Sequence, residues 1–509
     1  DTLMQMGRWF GYRPEYEDLC RVWMPEEAAG WYEHITESIE MLRDELRAME
    51  QALVFDPDLI ARYDQAGPRY TSYPTAVQFH DGFGADDYEQ AARASNATGR
   101  PLSLYFHIPF CDTVCFYCAC NKVATKDRSL AQPYLDRVYR ELEMQSALFD
   151  RGRRVEQLHW GGGTPTFISQ DQMRALMDQT RRWFDLADDE VGEYSIEIDP
   201  READAQSVAL LRRLGFNRMS LGVQDFEPQV QQAVNRIQTE AETLAVLEAA
   251  RAEGFRSISI DLIYGLPFQS VAGFTRTLDK VLAFSPDRLS VFNYAHLPQR
   301  FKPQRRIDAD QLPPPQTKLD ILQATGERLA AAGYVYIGMD HFAKPDDELA
   351  RAQREGTLYR NFQGYSTHAD CDLIGLGVTS IGKVDNSYAQ NRRELAEYYA
   401  DIDAGRLPVF RGIELSRDDE IRRDTITKLI CNFSLTYAEV AARWGIDFGA
   451  YFAADLARVK PMEADGLLEM DAQGIRVLPR GRLLIRNICM AFDAYRNGPE
   501  AQGGFSKVI

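Results

Sequence analysis

Six short apolar, β-rich runs recur between Leu102 and Phe292, each followed by a longer stretch with the 3.6-residue period of a helix. The runs are Leu102 to Ile108, Gln157 to Trp160, Tyr194 to Ile198, Arg218 to Val223, Ser257 to Ile263 and Arg288 to Phe292. Strands alternating with helices predict right-handed crossovers and a parallel sheet. Six units fall short of the eight of a closed barrel, so the pattern predicts an α/β fold built as a partial six-unit barrel. In each unit polar residues follow the apolar run: His107 and Cys111, Gly161 to Thr164, Glu197 and Asp199, Gln224 and Asp225, Asp261 and Tyr264, then Asn293, Tyr294 and His296. Parallel α/β sheets carry their sites at the C-terminal ends of the strands, so these residues are expected to meet at one mouth.

The flanks read differently. Residues 1–50 are Trp- and Tyr-rich at first (Trp9, Phe10, Tyr12, Trp23, Trp31) and then helical through Ile39, Leu42 and Leu46, and they form a separate piece. Residues 51–100 read as a polar, aromatic arm whose segment Pro68 to Thr75 discourages regular structure, expected to lie as an ordered loop on the next domain. The core is assigned to 101–340 and a C-terminal domain to 341–509. Beyond about residue 340 the alternation fades, Gly364 to Gly382 is rich in glycine and polar residues, and the stretch from about residue 386 reads as helices plus one hairpin. That hairpin, Gly466 to Met470 with Gly474 to Leu478, predicts a mostly helical, winged-helix-like module that packs on the catalytic domain rather than on DNA.

Charge supports that choice. A net charge of -18 over 509 residues works against a nucleic-acid or anionic-membrane surface, so any anionic ligand must find a local basic pocket. No apolar run approaches the roughly 18 residues of a membrane span and no signal peptide is read, which predicts the cytoplasm. The opening Asp1 predicts a missing or processed N-terminus. Eight cysteines are too sparse for a disulfide framework. Cys371, Cys431 and Cys489 are scattered and read as small buried residues, whereas Cys111, Cys115, Cys118 and Cys120 crowd into one loop and read as a metal or redox site.

In that loop Cys111-Asp-Thr-Val-Cys115-Phe-Tyr-Cys118 spaces three thiols by three and then two residues. Thiolates suit iron-sulfur clusters, and three ligands leave the fourth iron of a 4Fe-4S cluster open to a further ligand. The competing reading is a zinc site with Cys120 as fourth ligand, which lacks the usual paired C-x2-C knuckles.

The CxxxCxxC loop after Tyr105-Phe-His-Ile-Pro109 is the radical S-adenosylmethionine (SAM) signature. With Gly67 to Thr75, Cys118-Ala-Cys120-Asn121-Lys122, His159-Trp-Gly-Gly-Gly-Thr-Pro165, Asp261-Leu-Ile-Tyr-Gly-Leu-Pro267, Asn293-Tyr-Ala-His296, Asn361-Phe-Gln-Gly-Tyr365 and the closing Phe505 to Ile509, residues 52–509 resemble the oxygen-independent coproporphyrinogen III oxidase family. The resemblance implies one 4Fe-4S cluster on Cys111, Cys115 and Cys118, and two SAM molecules. It places Tyr105, Tyr117, Gly162, Gly163, Thr164, Glu197, Gln224, Arg236, Asp261, Ala295 and Ile381 at the SAM, with Ile381 lining the second molecule, and Cys120, Tyr105 and His107 at the reacting centre. Glycine suits such a strand because bare backbone permits close approach, although a tight turn without ligand would also use it.

The implied reaction converts coproporphyrinogen III to protoporphyrinogen IX in haem biosynthesis. The 5'-deoxyadenosyl radical removes a hydrogen from a propionate carbon next to the ring, then an electron and carbon dioxide leave. Arg69, Tyr70, Tyr73 and His107 are candidates to hold propionates. An electron donor for the cluster and an unidentified acceptor are implied, with a monomer and neither nucleic acid nor membrane as partner. Two other readings stand beside it. Haem chaperone relatives share the cluster loop, but Cys120 and the Pro68 to Thr75 arm argue against them. Gln5 to Pro14, Tyr16 to Cys20 and Trp23 resemble the tail of a domain associated with restriction-type endonucleases, which would suggest a nucleic-acid-associated protein but reads as a fusion remnant.

Overall fold

The computed structural model describes residues 53–188, 190–369 and 371–497; the segment 1–50 lies outside them. Strand β1 (Leu102–Ile108) is buried at all but one position. The chain continues through α1 (Ala131–Ser146), β2 (Val155–Gly162), α2 (Gln170–Trp183), β3 (Glu193–Ile198), α3 (Ala205–Leu214), β4 (Arg218–Gln224), α4 (Glu240–Ala252), β5 (Ser257–Tyr264), α5 (Val271–Phe284), β6 (Arg288–Asn293) and α6 (Pro315–Ala331). Short polar residues start the helices: Ser169, Asp204 and Thr239 each close a capping box with the residue three positions on, and Ser270 accepts from the Gly273 N–H. One face of the strands packs on these helices, with Trp160 meeting Phe106 and Phe216 edge to face. Each such buried side chain contributes roughly 1.5–3 kcal/mol.

Six further strands complete the sheet: β7 (Val335–Gly338), β8 (His341–Ala343), β9 (Asp372–Leu376), β10 (Ile381–Val384), β11 (Ser387–Asn391) and β12 (Val409–Glu414). The order is β12-β11-β10-β9-β1-β2-β3-β4-β5-β6-β8-β7. From β9 to β6 every pairing is parallel, and both flanks are antiparallel. The ends do not pair, so the six expected units form a partial barrel, with β9 as an added parallel strand beside β1.

Three expectations need correction. The glycine-rich stretch 364–382 and the region after 386 hold strands. A Cβ on Gly382 would stand 2.7 Å from the Leu373 carbonyl oxygen, so this glycine serves strand contact, not a loop. The arm carries an 11-residue helix, Ala85–Ser95. Its Pro68 to Thr75 loop binds mainly the C-terminal region: the buried Arg486 donates to the Gly67 and Pro68 carbonyls, Tyr70 donates to Asp493 over 2.9 Å, and the Ala494 N–H donates to the Tyr73 hydroxyl over 3.0 Å. A buried guanidinium needs acceptors, and this irregular backbone has carbonyls to give.

The C-terminal module follows α7 (Leu395–Asp403) and opens with α8 (Arg417–Asn432). The expected hairpin appears as β14 (Leu468–Met470) with β15 (Gly474–Val477), joined by an unanticipated β13 (Ser434–Thr436). Among the described residues no helix is long and apolar enough to cross a membrane.

Candidate functional site

The cysteine loop leaves β1 and is tied on every side. Gly163 donates to the Ile108 carbonyl, Thr164 to Phe110, Phe116 to Val234, and the Asn235 side chain to Val114. Below it Phe116 and Tyr117 pack on Val230, Val234, Leu266 and Tyr294. Two glycines bring β2 against this loop. Gly162 has φ +113°, and a Cβ there would lie 2.8 Å from the His107 ring. A Cβ on Gly163 would meet the Phe110 carbonyl oxygen at 2.7 Å.

Cys111 and Cys115 are buried, Cys118 is half-buried and Cys120 is reached by solvent from within a cavity of about 240 Å³; none forms a disulfide. Each of the three expected ligand sulfurs has a donor. Thr164 Oγ1 is 3.5 Å from Cys111, Arg236 Nη1 is 3.5 Å and Arg201 Nη2 3.7 Å from Cys115, and the Cys120 N–H is 3.4 Å from Cys118. Burial pushes the Cys111 thiol up to about 11, whereas hydrogen bonding from Cys120, helped by Lys122, draws Cys118 down. Such donors are the outer shell that a thiolate-bound cluster requires.

Facing the sulfurs are the ends of β2 to β5. Glu197 accepts from the Gly162 N–H at 3.1 Å and lies 3.4 Å from His159 Nε2. Burial works to raise its carboxyl, but His159 and that N–H outweigh it and hold it below its usual range. Burial pushes Asp261 up to about 6, although Ser220 donates to it over 2.7 Å. Arg236 also bridges Asp199 (3.1 Å) and the Gly222 carbonyl. Gln224 Oε1 and Arg236 Nε are buried without a hydrogen-bond partner among the described residues, and both residues line the cavity. A soft-ligand loop opposite cations, carboxylates and unspent polar atoms fits a cluster with a zwitterionic ligand beside it.

Of the expected site residues, the cavity brings together Cys111, Cys115, Cys118, Cys120, Tyr117, Gly162, Gly163, Thr164, Glu197, Gln224, Arg236 and Asp261. Tyr105 and His107 support it from behind. The Tyr105 hydroxyl meets His107 Nδ1 at 3.1 Å and His107 Nε2 meets the Asn121 carbonyl at 2.9 Å. A carbonyl only accepts, so Nε2 carries the proton. Burial holds this ring below its usual range, hence neutral, with both nitrogens engaged inside the protein. Ala295 joins through Gln304, whose amide donates to both the Tyr117 and Ala295 carbonyls. Ile381 lies apart, packed on the cluster of Phe79, Tyr388, Ile413 and Leu415. The propionate candidates are also spoken for: Arg69 pairs with Asp340 at 3.3 Å, and Tyr70 and Tyr73 face the C-terminal region.

A second cavity of about 300 Å³ fills the barrel interior and shares Glu197, Ser220 and Asp261 with the first. Its walls include His159, which stacks on Tyr105 and sits 2.6 Å from Ser195 Oγ. Sequence reasoning missed this interior, though a signal was present. Gln157 and His159, Ser195 and Glu197, Arg218 and Ser220, and Ser259 and Asp261 are polar at alternate strand positions, so that face points inward.

Known proteins resemble this chain along most of its length. The radical SAM superfamily model matches residues 105–281, the HemN C-terminal domain model 415–484, and a Z1 domain model 1–62. The oxygen-independent coproporphyrinogen III oxidase of Pseudomonas aeruginosa is 57% identical over 461 residues, 91% of this chain and 100% of that protein. Its Escherichia coli counterpart is 51% identical over 459 residues, covering 90% and 99%. A solved structure of coproporphyrinogen III oxidase (HemN) from Escherichia coli, described as a radical SAM enzyme, superposes with a TM-score of 0.83 at 51% identity, over 87% of this chain and 99% of that one.

Proposed function

The chain belongs to the oxygen-independent coproporphyrinogen III oxidases, radical SAM enzymes of haem biosynthesis, and on that premise we propose how its residues carry the reaction. The substrate is coproporphyrinogen III, and the change is oxidative decarboxylation of two propionates to vinyl groups, giving protoporphyrinogen IX. Cys111, Cys115 and Cys118 hold a 4Fe-4S cluster. When bound, cluster and SAM supply the abstraction of a hydrogen atom from the propionate carbon beside the ring. The protein's part is to orient and to exclude water. The Gly162–Thr164 backbone, Glu197, Gln224 and Arg236 bind SAM against the cluster loop. Tyr105 and neutral His107 fix the Cys120–Asn121 segment, and Cys120 presents its thiol to the reacting centre.

The observation that carries this reading is the opening of all three thiols into one cavity with the ends of β2 to β5. Two SAM molecules bind per chain, as the family resemblance implies, and equilibrium dialysis counts them. A one-electron donor serves the cluster and an external acceptor takes the electron left after decarboxylation, in the cytoplasm and with the chain as a monomer. The test is anaerobic reconstitution: about four iron atoms per chain and porphyrin product are expected. Cys111→Ala, Cys115→Ala or Cys118→Ala removes both, and full iron in any of the three overturns the ligand assignment.

A further inference from the structure

The opposite end of the barrel holds a second ligand set. Glu156 is the second residue of β2, and Cys371 immediately precedes β9. Both strands begin beside Leu102, the first residue of β1, while the cluster loop begins past its last. At about 3.3 Å per residue the two ends lie roughly 20 Å apart. Between them in sequence, His368 sits in the turn after Tyr365, its N–H donating to Ser366 Oγ over 3.0 Å.

We propose that Glu156, His368 and Cys371 form a binding site for a divalent cation of the zinc class. One carboxylate oxygen, one ring nitrogen and the sulfur of these residues all lie within 4.8 Å of one another. His368 Nδ1 stands 3.7 Å from Glu156 Oε2. That is too long for a hydrogen bond and close to the roughly 3.3 Å that separates two ligands about 2.0 Å from one tetrahedral ion. The other ring nitrogen, Nε2, faces Glu193 Oε2 at 3.8 Å. Glu193 is itself held by the Gln157 amide at 3.0 Å and by Thr367 at 3.4 Å. At 3.8 Å this carboxylate is not yet hydrogen-bonded to the ring, but it stands on the side from which a carboxylate orients a ligating histidine.

The donor set selects the metal. Thiolate, imidazole and carboxylate suit zinc, whereas magnesium and calcium take oxygen ligands. The buried Cys371 thiol gives its proton to solvent on binding, and thiolate plus carboxylate then balance the double positive charge. Water takes the remaining position. Such an ion ties β2 to β9 and the turn between them, at the point where β9 enters the sheet.

The test uses the enzyme with its cluster in place, so that the loop cysteines are occupied, and Zn2+ alone as the probe. One zinc per chain is expected. Zinc-edge X-ray absorption, which iron does not disturb, should show a single sulfur at about 2.3 Å with nitrogen and oxygen neighbours. Cys371→Ala and His368→Ala should each weaken zinc binding more than about tenfold, with iron content and product formation unchanged. Glu156→Gln, at a half-exposed position, gives the same loss if either of those fails to fold. No retained zinc, retention indifferent to the three substitutions, or a spectrum with several sulfurs overturns the site.

Discussion

At the scale of the residue, Gly162 sets the geometry of the whole mouth. Its φ of +113° and the 2.8 Å from a would-be Cβ to His107 leave no room for a side chain. Gly162→Ala must displace the ring that hydrogen-bonds Tyr105 and the Asn121 carbonyl. It should retain iron yet weaken SAM binding by about tenfold, the equivalent of about 1.4 kcal/mol and within the strain such a residue carries. Equilibrium dialysis reads it, and unchanged affinity would show that the loop gives way instead. Cys120 poses the other question at this scale. Its N–H donates to Cys118 and its thiol lines the cavity, so Cys120→Ser should keep about four irons and SAM binding while losing most product. Cluster loss would make it a ligand, and normal yield would leave it a packing residue. The sequence announced both residues through the motif, but not that His107 is what Gly162 makes room for.

At the scale of the element, Glu141 fastens α1 to the added half of the sheet. Its carboxylate accepts from the Gly377 N–H after β9 (2.8 Å), the Asn391 amide on β11 (2.6 Å) and the Tyr398 hydroxyl on α7 (2.6 Å). Burial pushes it up from 4.5 to about 7. A folded value above the unfolded one means that folding takes up a proton between them. Its contribution is therefore complete below 4.5 and fades as pH rises through about 7. Urea midpoints should reveal up to about 1.4 kcal/mol of lost stability per pH unit from pH 5 to 7. In Glu141→Ala that slope should become shallower, the part that remains coming from other raised carboxyls such as Asp261, with a drop of roughly 3 kcal/mol as three donors lose their acceptor. A wild-type profile as flat as the variant's would refute the shift. Helix starts were legible here because Ser169 and Thr239 act on their own next turn. β9 was not, because its partner β1 lies some 270 positions earlier (Leu102 pairs with Asp372) and glycines hide its apolar run.

At the scale of the molecule, about nine tenths of this chain (91%) matches the full length of the Pseudomonas aeruginosa relative. Deleting residues 1–50 should therefore leave iron content and product formation unchanged. A large fall in either, or in recovered protein, would show that the segment is needed by the enzyme.

The sequence by itself determined what neighbours along the chain decide: the strand-helix period, the helix caps, and the three-thiol spacing with the family it marks. Tertiary structure alone decided what distant segments decide. It inserted β9 beside β1, drew the Gly67–Pro68 carbonyls onto Arg486, turned alternate polar residues into a common interior, and gathered Glu156, His368 and Cys371. Local propensity and spacing act over a few residues, so they leave a record that can be read in order. Which buried group meets which partner depends on packing and hydrogen-bond satisfaction across hundreds of positions, and only the folded chain resolves it.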